Sequence, residues 1–550
     1  MTDTFNLPET STAQPPAFAT AAECRTWLES QPLSNHVQMQ AALLRSLNQL
    51  NRYRLAATER LAILELLREP VHTSQDDNIR RFAGKPLPLA PTEQAAFDTC
   101  LSIWNALATG YLHCLAACVA LDPGMKPRWP LAAQRALATL VTVQFDTCRG
   151  GRQPAAGYWR LLHAAYLAAE QAGIAQQEVA DTLRQGNNPA TALTTWIEGL
   201  LLHAASPYEL PHKQMAWAAR WARRWACKLT VFDSPPTLSA RAIPLCVDLD
   251  SDLPASYRPT FVSGTRFLDT SGLRESLKKR VVMLQRGDSP KDLQLGDDCT
   301  QPLCEQLLIQ MYYRWCKGGA IRAHERRPAD GNCVIIGGIE SIHYYISGRK
   351  AFQQPGGSAL TDTEIRRQRE EIGTFGRIME APPQADDYSQ QRGYQVEQWE
   401  VMEEWHMLDE SATGVRIQRP LAKAGSRFGG GQLVAVRPGD VRSLLLGTLR
   451  WAMIDGNDSL QAGVQIIAGL PRPVAVRGTG LSALREKYSP GFLLPAVAAL
   501  QEPESIIIPV GWFKLQRILE IFTTQASQVM LTGLVDRGND FEQATYENVG

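Results

Sequence analysis

The chain lacks an excess of charge of either sign: its 550 residues hold 56 Lys and Arg against 56 Asp and Glu. No global field therefore draws in nucleic acid or a membrane surface, and any anion site must come from local placement of arginines. It lacks an apolar run long enough to span a bilayer, so no membrane span is expected. It lacks a C-x-x-C pair; eleven cysteines, an odd count, are scattered from Cys24 to Cys333, the pattern of reduced thiols in a cytoplasmic protein. The start is polar around Asp3, without a basic and apolar leader, so no signal peptide is expected. There is no G-x-x-x-x-G-K-[ST] phosphate loop and no H-E-x-x-H zinc motif. The glycine run after Phe428 is not followed by the helix a phosphate loop needs, and reads as a flexible hairpin connection. Ser289 and the other serines lack a placed His and Asp. With no acid–base pair at a workable spacing, the sequence predicts no enzyme, no metal and no cofactor.

What is present falls into blocks, too many residues for one core. Residues 1–18, rich in Thr, Pro and Ala, are expected to be a disordered tail. Thr20 with Glu23 forms a capping box that opens a helical domain over 19–235. Apolar residues at three- and four-residue spacing predict helices over His36–Arg68, Thr92–Ala120, Leu131–Val143, Gly157–Gly173 and Pro211–Lys228. His113, Cys114 and Cys118 sit at helical spacing in an apolar stretch, which favours core packing over a metal site. In Trp217, Arg220, Trp221, Arg223, Arg224 and Trp225, aromatics interleave with arginines as in a single-strand binder. The tryptophans recur every four residues, however, which favours a buried indole face with arginines in water. No DNA or RNA is therefore expected as a partner.

Residues 236–317 read as a proline-rich linker or small irregular subdomain, with extended pieces such as Pro244–Leu249, followed by two helices over Ser271–Arg286 and Thr300–Trp315. From 318 the period changes to that of strands. Cys333–Ile336, His343–Ile346, Val396–His406, Gly414–Gln418, Gln432–Val436, Ser443–Met453, Ala462–Ala468 and Pro473–Arg477 predict a small antiparallel barrel over 318–478, interrupted by an insertion at 351–395. Residues 479–550 predict a further β-rich module with strands at Phe492–Pro495, Ser505–Val510 and Val529–Leu534, and a short helix near Phe513–Glu520. The expected class is a multidomain α + β chain.

Two clusters on the barrel carry chemistry. The first is Arg322, Ala323, His324, Glu325, Arg326, Arg327, an R-x-x-x-R with an extra arginine. The second is Asp409, Glu410, Ser411, Ala412, Thr413, Gly414, a D-x-S-x-x-G between two strand-like runs. A guanidinium grips two oxygens at once, stacks on a purine and matches guanine O6 and N7. Asp409 can accept from the N1 and N2 donors of guanine, Ser411 offers a small hydroxyl, and Gly414 allows close backbone approach. Singly, each has a plainer reading: surface charges paired with Glu325, an Asp and Ser capping a turn, a glycine at a bulge. In this order and strand context, the set points to a guanine nucleotide.

The two motifs resemble those of the PilZ domain, R-x-x-x-R ahead of a barrel and (D/N)-x-S-x-x-G on a strand. Downstream, Gly447, Thr448, Leu449, Arg450, Trp451 is similar to the family's G-x-V-R-W strand, and Gly463, Val464, Gln465, Ile466 to its closing strand. The resemblance covers roughly 321–477. It implies a cyclic di-GMP receptor with Arg322, Arg326 and Arg327 on guanine and phosphate, and Asp409, Ser411 and Gly414 on the guanine side. It departs from the family in one respect: Asp409 follows Arg326 by 83 positions, a gap that the 351–395 insertion accounts for. The expectation is a cytoplasmic effector, in motility, surface attachment or related regulation, whose helical domain meets a protein partner. The alternative is a PilZ-like scaffold that has lost its ligand and acts through the helical domain alone.

Overall fold

Apolar residues spaced every three or four positions build the first half of the chain from helices. The computed structural model describes residues 5–31, 35–184, 190–235, 244–257, 264–318, 326–350, 352–355, 366, 370, 402–423, 425–439, 441–479 and 487–549. Two units result, Met1–Lys85 with Leu89–Ile321, and Pro86–Pro88 with Arg322–Gly550.

The first unit holds α1 (Ala21–Glu29), α2 (His36–Arg52), α3 (Ala57–Phe82), α4 (Pro91–Val119), α5 (Trp129–Arg149), α6 (Tyr158–Gln171), α7 (Ala192–Ala204) and α8 (His212–Trp225). After α8 come strands β1 (Thr230–Phe232), β2 (Leu245–Asp248) and β3 (Thr265–Asp269), then α9 (Ser271–Gln285) and α10 (Leu303–Cys316). The strands form an antiparallel sheet in the order β1-β3-β2, and β2 falls on the extended piece expected at Pro244–Leu249. Helix α1 opens on the expected capping box, Thr20 accepting from Glu23 N and Glu23 Oε2 accepting from Thr20 N. The one helix expected over His36–Arg68 is two. The buried Arg60 donates to Leu50 O and Tyr53 O, both at 2.8 Å, and so satisfies carbonyls that a further helical turn would have used. Residues 5–18 are also ordered, against expectation. Ser11 exchanges backbone hydrogen bonds with Arg52 and Arg54, and Phe5 and Phe18 are buried; residues 1–4 lie outside the described residues. Trp217, Trp221 and Trp225 are all buried, as their spacing predicts.

A charged cluster is enclosed among these helices. Arg68 meets Asp181 at 2.6 Å, Arg135 meets Glu65 at 3.0 Å and Asp181 at 3.4 Å, and Arg223 meets Glu198 at 3.1 Å. Burial alone would raise the Asp181 pKa, but the charge and hydrogen bond of Arg68, with Arg135 and Arg184, hold it below the usual carboxylate range. A depressed folded pKa means that the ion pairs stabilise the unit at every pH above the unfolded value of about 4. The contribution is lost as pH falls through the lower folded value.

The second unit contains β4 (Arg327–Gly337), α11 (Ile339–Ile346), β5 (Glu403–Ser411), β6 (Gly414–Pro420), β7 (Gln432–Pro438), β8 (Leu445–Ile454) and β9 (Ser459–Ile466). These six strands close an antiparallel barrel in the order β4-β5-β6-β9-β8-β7. Then come β10 (Arg472–Gly478), β11 (Ser489–Leu494), β12 (Ser505–Pro509), β13 (Ile518–Phe522), β14 (Ala526–Arg537) and β15 (Phe541–Val549), which close a second barrel in the order β10-β11-β12-β15-β14-β13. Two expectations are corrected. His343–Ile346 is not a strand but the end of α11, because Ile339, Ile342 and Ile346 recur at helical spacing and pack on one apolar cluster. The stretch Phe513–Glu520 is not a helix but a turn leading into β13. In addition, the strand expected at Pro473–Arg477 opens the second barrel rather than completing the first.

The two barrels share a core. Ile336, Ile342, Leu433, Ala435 and Leu446 of the first pack with Phe492, Leu494, Ile507 and Phe541 of the second. A polar seam runs beside it: Arg450 meets Asp536 at 2.9 Å, and Asp540 Oδ1 accepts from Leu433 N at 2.9 Å. Of the insertion expected at 351–395, only 352–355, 366 and 370 lie within the described residues.

Two outcomes follow. Phe492→Ala should cost about 3–5 kcal/mol and lower hydrogen-exchange protection in β4–β9 and β10–β15 together; loss confined to β10–β15 would mean that the barrels are energetically separate. Asp181→Asn should weaken the helical unit at pH 7 by on the order of 3–5 kcal/mol and flatten the fall of the urea midpoint as pH drops from about 5 to about 2.

Candidate functional site

The site lies where β4, β5 and β6 run side by side. The hairpin joining β5 to β6 has a two-residue loop, Ala412 and Thr413, between paired Ser411 and Gly414. That loop fixes the register, so Glu410 faces Val415 and Asp409 faces Arg416. On the other side β4 sets Arg327 opposite Glu410 and Pro328 opposite Asp409. Register shifts fall between Met407 and Asp409 on β5 and between Pro328 and Gly331 on β4. Bulges of this kind turn a side chain out of the regular alternation.

The Asp409 carboxylate is gripped from two sides. Arg326 Nη1 lies 2.5 Å from Oδ1 and Arg416 Nε lies 2.9 Å from Oδ2. The Asp409 side chain is 17 % exposed, against 32 % for Arg326 and 40 % for Arg416. The acid is thus half-sheltered while both guanidinium groups still reach solvent. Ser411 Oγ donates to Gly414 O at 3.3 Å, across the hairpin turn. Gly414 is required by space: a Cβ there would stand 2.8 Å from Val464 O of the neighbouring β9.

Of the six residues expected to bind ligand, the structure brings Arg326 and Asp409 into direct contact across 83 positions. Ser411 and Gly414 follow on the same hairpin, and Arg327 is exposed at the start of β4. Arg322 lies outside the described residues. The sequence reading missed Arg416. Its signal was available, since a two-residue hairpin loop after Ser411 places position 416 opposite 409.

The residues after the hairpin also have defined places. Trp451 pairs with Gly463 across β8 and β9, and a Cβ on Gly463 would fall 2.2 Å from the indole nitrogen. Arg450 points away from Asp409, to Gln465 at 2.7 Å and to Asp536. No group of His, Cys, Asp and Glu suited to a metal occurs among the described residues. Cys114 and Cys118 are buried, and burial pushes each thiol up to about 12, where it is a poor ligand.

A large cavity lies elsewhere, in the helical unit. It measures about 1110 Å³ and is lined in part by Tyr166, Glu170, Thr191, Phe232 and Arg266. Arg266 there is committed to Glu170. Two partly exposed guanidinium groups around one acceptor carboxylate are better matched to an anion with a donor-bearing base.

Three family models match the chain in sequence order. The N-terminal domain of the cyclic-di-GMP receptor FimW matches residues 22–236, the middle PilZ domain of that receptor matches 245–404, and the FimW C-terminal beta-barrel domain matches 474–549. The middle match ends just before the Asp409 hairpin. A curated relative, the cyclic-di-GMP receptor FimW of Pseudomonas aeruginosa, is 22 % identical over 523 residues, which covers 89 % of this chain and 84 % of the relative.

Gly414→Ala tests the hairpin. It should cost about 1–3 kcal/mol through the clash with Val464 O, seen as a lower melting temperature, while Ala412→Gly in the loop should change it little.

Proposed function

We propose that this chain, which belongs to the PilZ-containing family of FimW-type cyclic-di-GMP receptors, binds cyclic di-GMP where its β4, β5 and β6 strands meet. The observation that carries the proposal is the grip of Arg326 and Arg416 on the two oxygens of Asp409. In the structure Asp409 occupies Arg326. A bound nucleotide offers both a better partner at once: its phosphate and guanine O6 and N7 take the arginine fork, and the guanine N1 and N2 donors replace the arginine at Asp409. Arg322 and Arg327 add contacts, Ser411 presents its hydroxyl, and Gly414 keeps the wall thin.

Exchanging an internal ion pair for a ligand also supplies a signal. Arg326 immediately precedes β4, whose far end enters the core shared with the second barrel through Ile336. A ligand that draws Arg326 away from β5 biases the conformation of that strand end. The output passes to a protein partner through the helical unit, in a cytoplasmic role in motility, surface attachment or related regulation.

Thermal shift of nucleotide-free protein against cyclic di-GMP, GTP, GMP and cyclic di-AMP tests the proposal. Cyclic di-GMP alone should raise the melting temperature. Arg326→Ala and Asp409→Ala should each weaken binding by about 1–3 kcal/mol, roughly 5- to 150-fold. A shift absent at saturating ligand would overturn the assignment and leave a scaffold that acts through protein contacts.

A further inference from the structure

Strand β1 is three residues long. Pro235, which has no N–H to give a ladder, stands just beyond it. Thr230, Val231 and Phe232 pair with Asp269, Leu268 and Phe267 of β3 on one side, and no other strand among the described residues pairs with them. Part of the β1 main chain therefore turns its donors and acceptors away from the sheet. All three residues line the cavity of about 1110 Å³ bounded by α6 and α7, and Phe232 is 37 % exposed.

The helical wall of this cavity is apolar at Leu193, Ile197 and the ring of Tyr166, which stacks on Trp196 with centroids 4.1 Å apart. The charged residues of its described lining are Glu170, Asp233 and Arg266. Arg266 is already engaged: Nε lies 3.1 and 3.2 Å from the two Glu170 oxygens, and Nη2 lies 2.5 Å from Oε2. Tyr166 Oη donates to the same carboxylate at 2.7 Å. Burial alone would raise the Glu170 pKa, but the hydrogen bonds from Arg266 and Tyr166 hold it below its ordinary value, so it is ionised at neutral pH. Asp233 is exposed at the end of β1, near enough for its charge to act on both members of that pair. Two carboxylates against one guanidinium leave the lining with a net negative charge. An anionic ligand meets no uncommitted cation in this lining, whereas a peptide bearing Lys or Arg meets Asp233.

We propose that this groove takes an extended segment of a partner protein, added as a strand to the outer margin of β1, with a basic side chain on Asp233 and an apolar one against Leu193 and Ile197. The inference rests on the reading that the output leaves through the helical unit, and it names the surface and the kind of partner. Pairing along three residues spans only about 10 Å, so main-chain bonds anchor the segment while the cavity and Asp233 select it. Successive side chains of the added strand point to opposite faces. Only part of the segment is therefore read, and the rest of its sequence is free to vary.

Full-length protein, free of nucleotide, tests this when panned with a phage library of short random peptides. Enriched peptides should carry more Lys and Arg than Asp and Glu. Synthetic copies should slow hydrogen exchange across 230–232. They should also slow alkylation of Cys227, which lines the cavity and is the exposed cysteine of the chain. N-methylation of alternate peptide amides, in one of the two possible sets, should weaken binding by about tenfold. Asp233→Lys, at an exposed position, should weaken the basic peptides by about fivefold and turn the enrichment acidic. No enrichment, an acidic consensus on the unsubstituted protein, or peptides that leave β1 and Cys227 unprotected would overturn the proposal. So would a dimer of this chain that protects β1 without any peptide. Because no nucleotide is present, failure here leaves the cyclic-di-GMP thermal shift unaffected, and failure of that shift leaves these readouts unaffected.

Discussion

Asp409 can stand between two guanidinium groups only because three strands hold one register, and that register depends on barrel closure. The two-residue loop after Ser411 sets β5 against β6, and the pairing of Pro328 with Asp409 sets β4 against β5. Neither would be fixed in an isolated hairpin, which is marginal in water. Closure through β9, β8 and β7 supplies the remaining pairings. A slip of one residue would send Asp409 to the opposite face, leaving two arginines without an acceptor. The chemistry at the rim is thus supported by backbone hydrogen bonds all round the barrel.

The same strand links rim and core. β4 begins beside Arg326 and ends at Ile336, in a cluster filled from both barrels and from α11. A second link runs outside it, where Arg450 joins β8 to Asp536 on β14. The arginine–tryptophan strand thus has two structural duties. Its tryptophan covers Gly463 of β9, and its arginine reaches the second barrel. The C-terminal barrel is joined to the first barrel by apolar packing and charge.

Much of this was legible in the sequence where a single period dominates. The tryptophan spacing of α8 placed its indoles inside, and alternating apolar residues located most strands within a few positions. The failures have local causes. His36–Arg68 looked continuous because no proline or glycine interrupts it; the break comes from the long Arg60 side chain reaching back to the carbonyls of α2. In α11 the aromatic residues Tyr344 and Tyr345 suggested a strand, but the isoleucines at helical spacing decided the outcome. At the candidate site, Arg326 and Asp409 stand out in the sequence because their residue types are chemically specific, and the structure puts them in contact. Arg416 was missed because its role comes from a register that only the hairpin loop specifies.

The sheet topology has one more consequence. A closed barrel has spent all its edge donors and acceptors, so neither barrel offers a template on which another chain could lay an extra strand. Among the described strands, unpaired margins remain only in the β1-β3-β2 sheet of the helical unit. There β2 is partly capped by the bridge between Cys246 and Ser256, while β1 borders the cavity formed with α6 and α7. Recognition of the barrels must therefore use side chains and loops. Among the described strands, recognition by main-chain hydrogen bonding, with the tolerance of sequence that it brings, is open only to those of the helical unit.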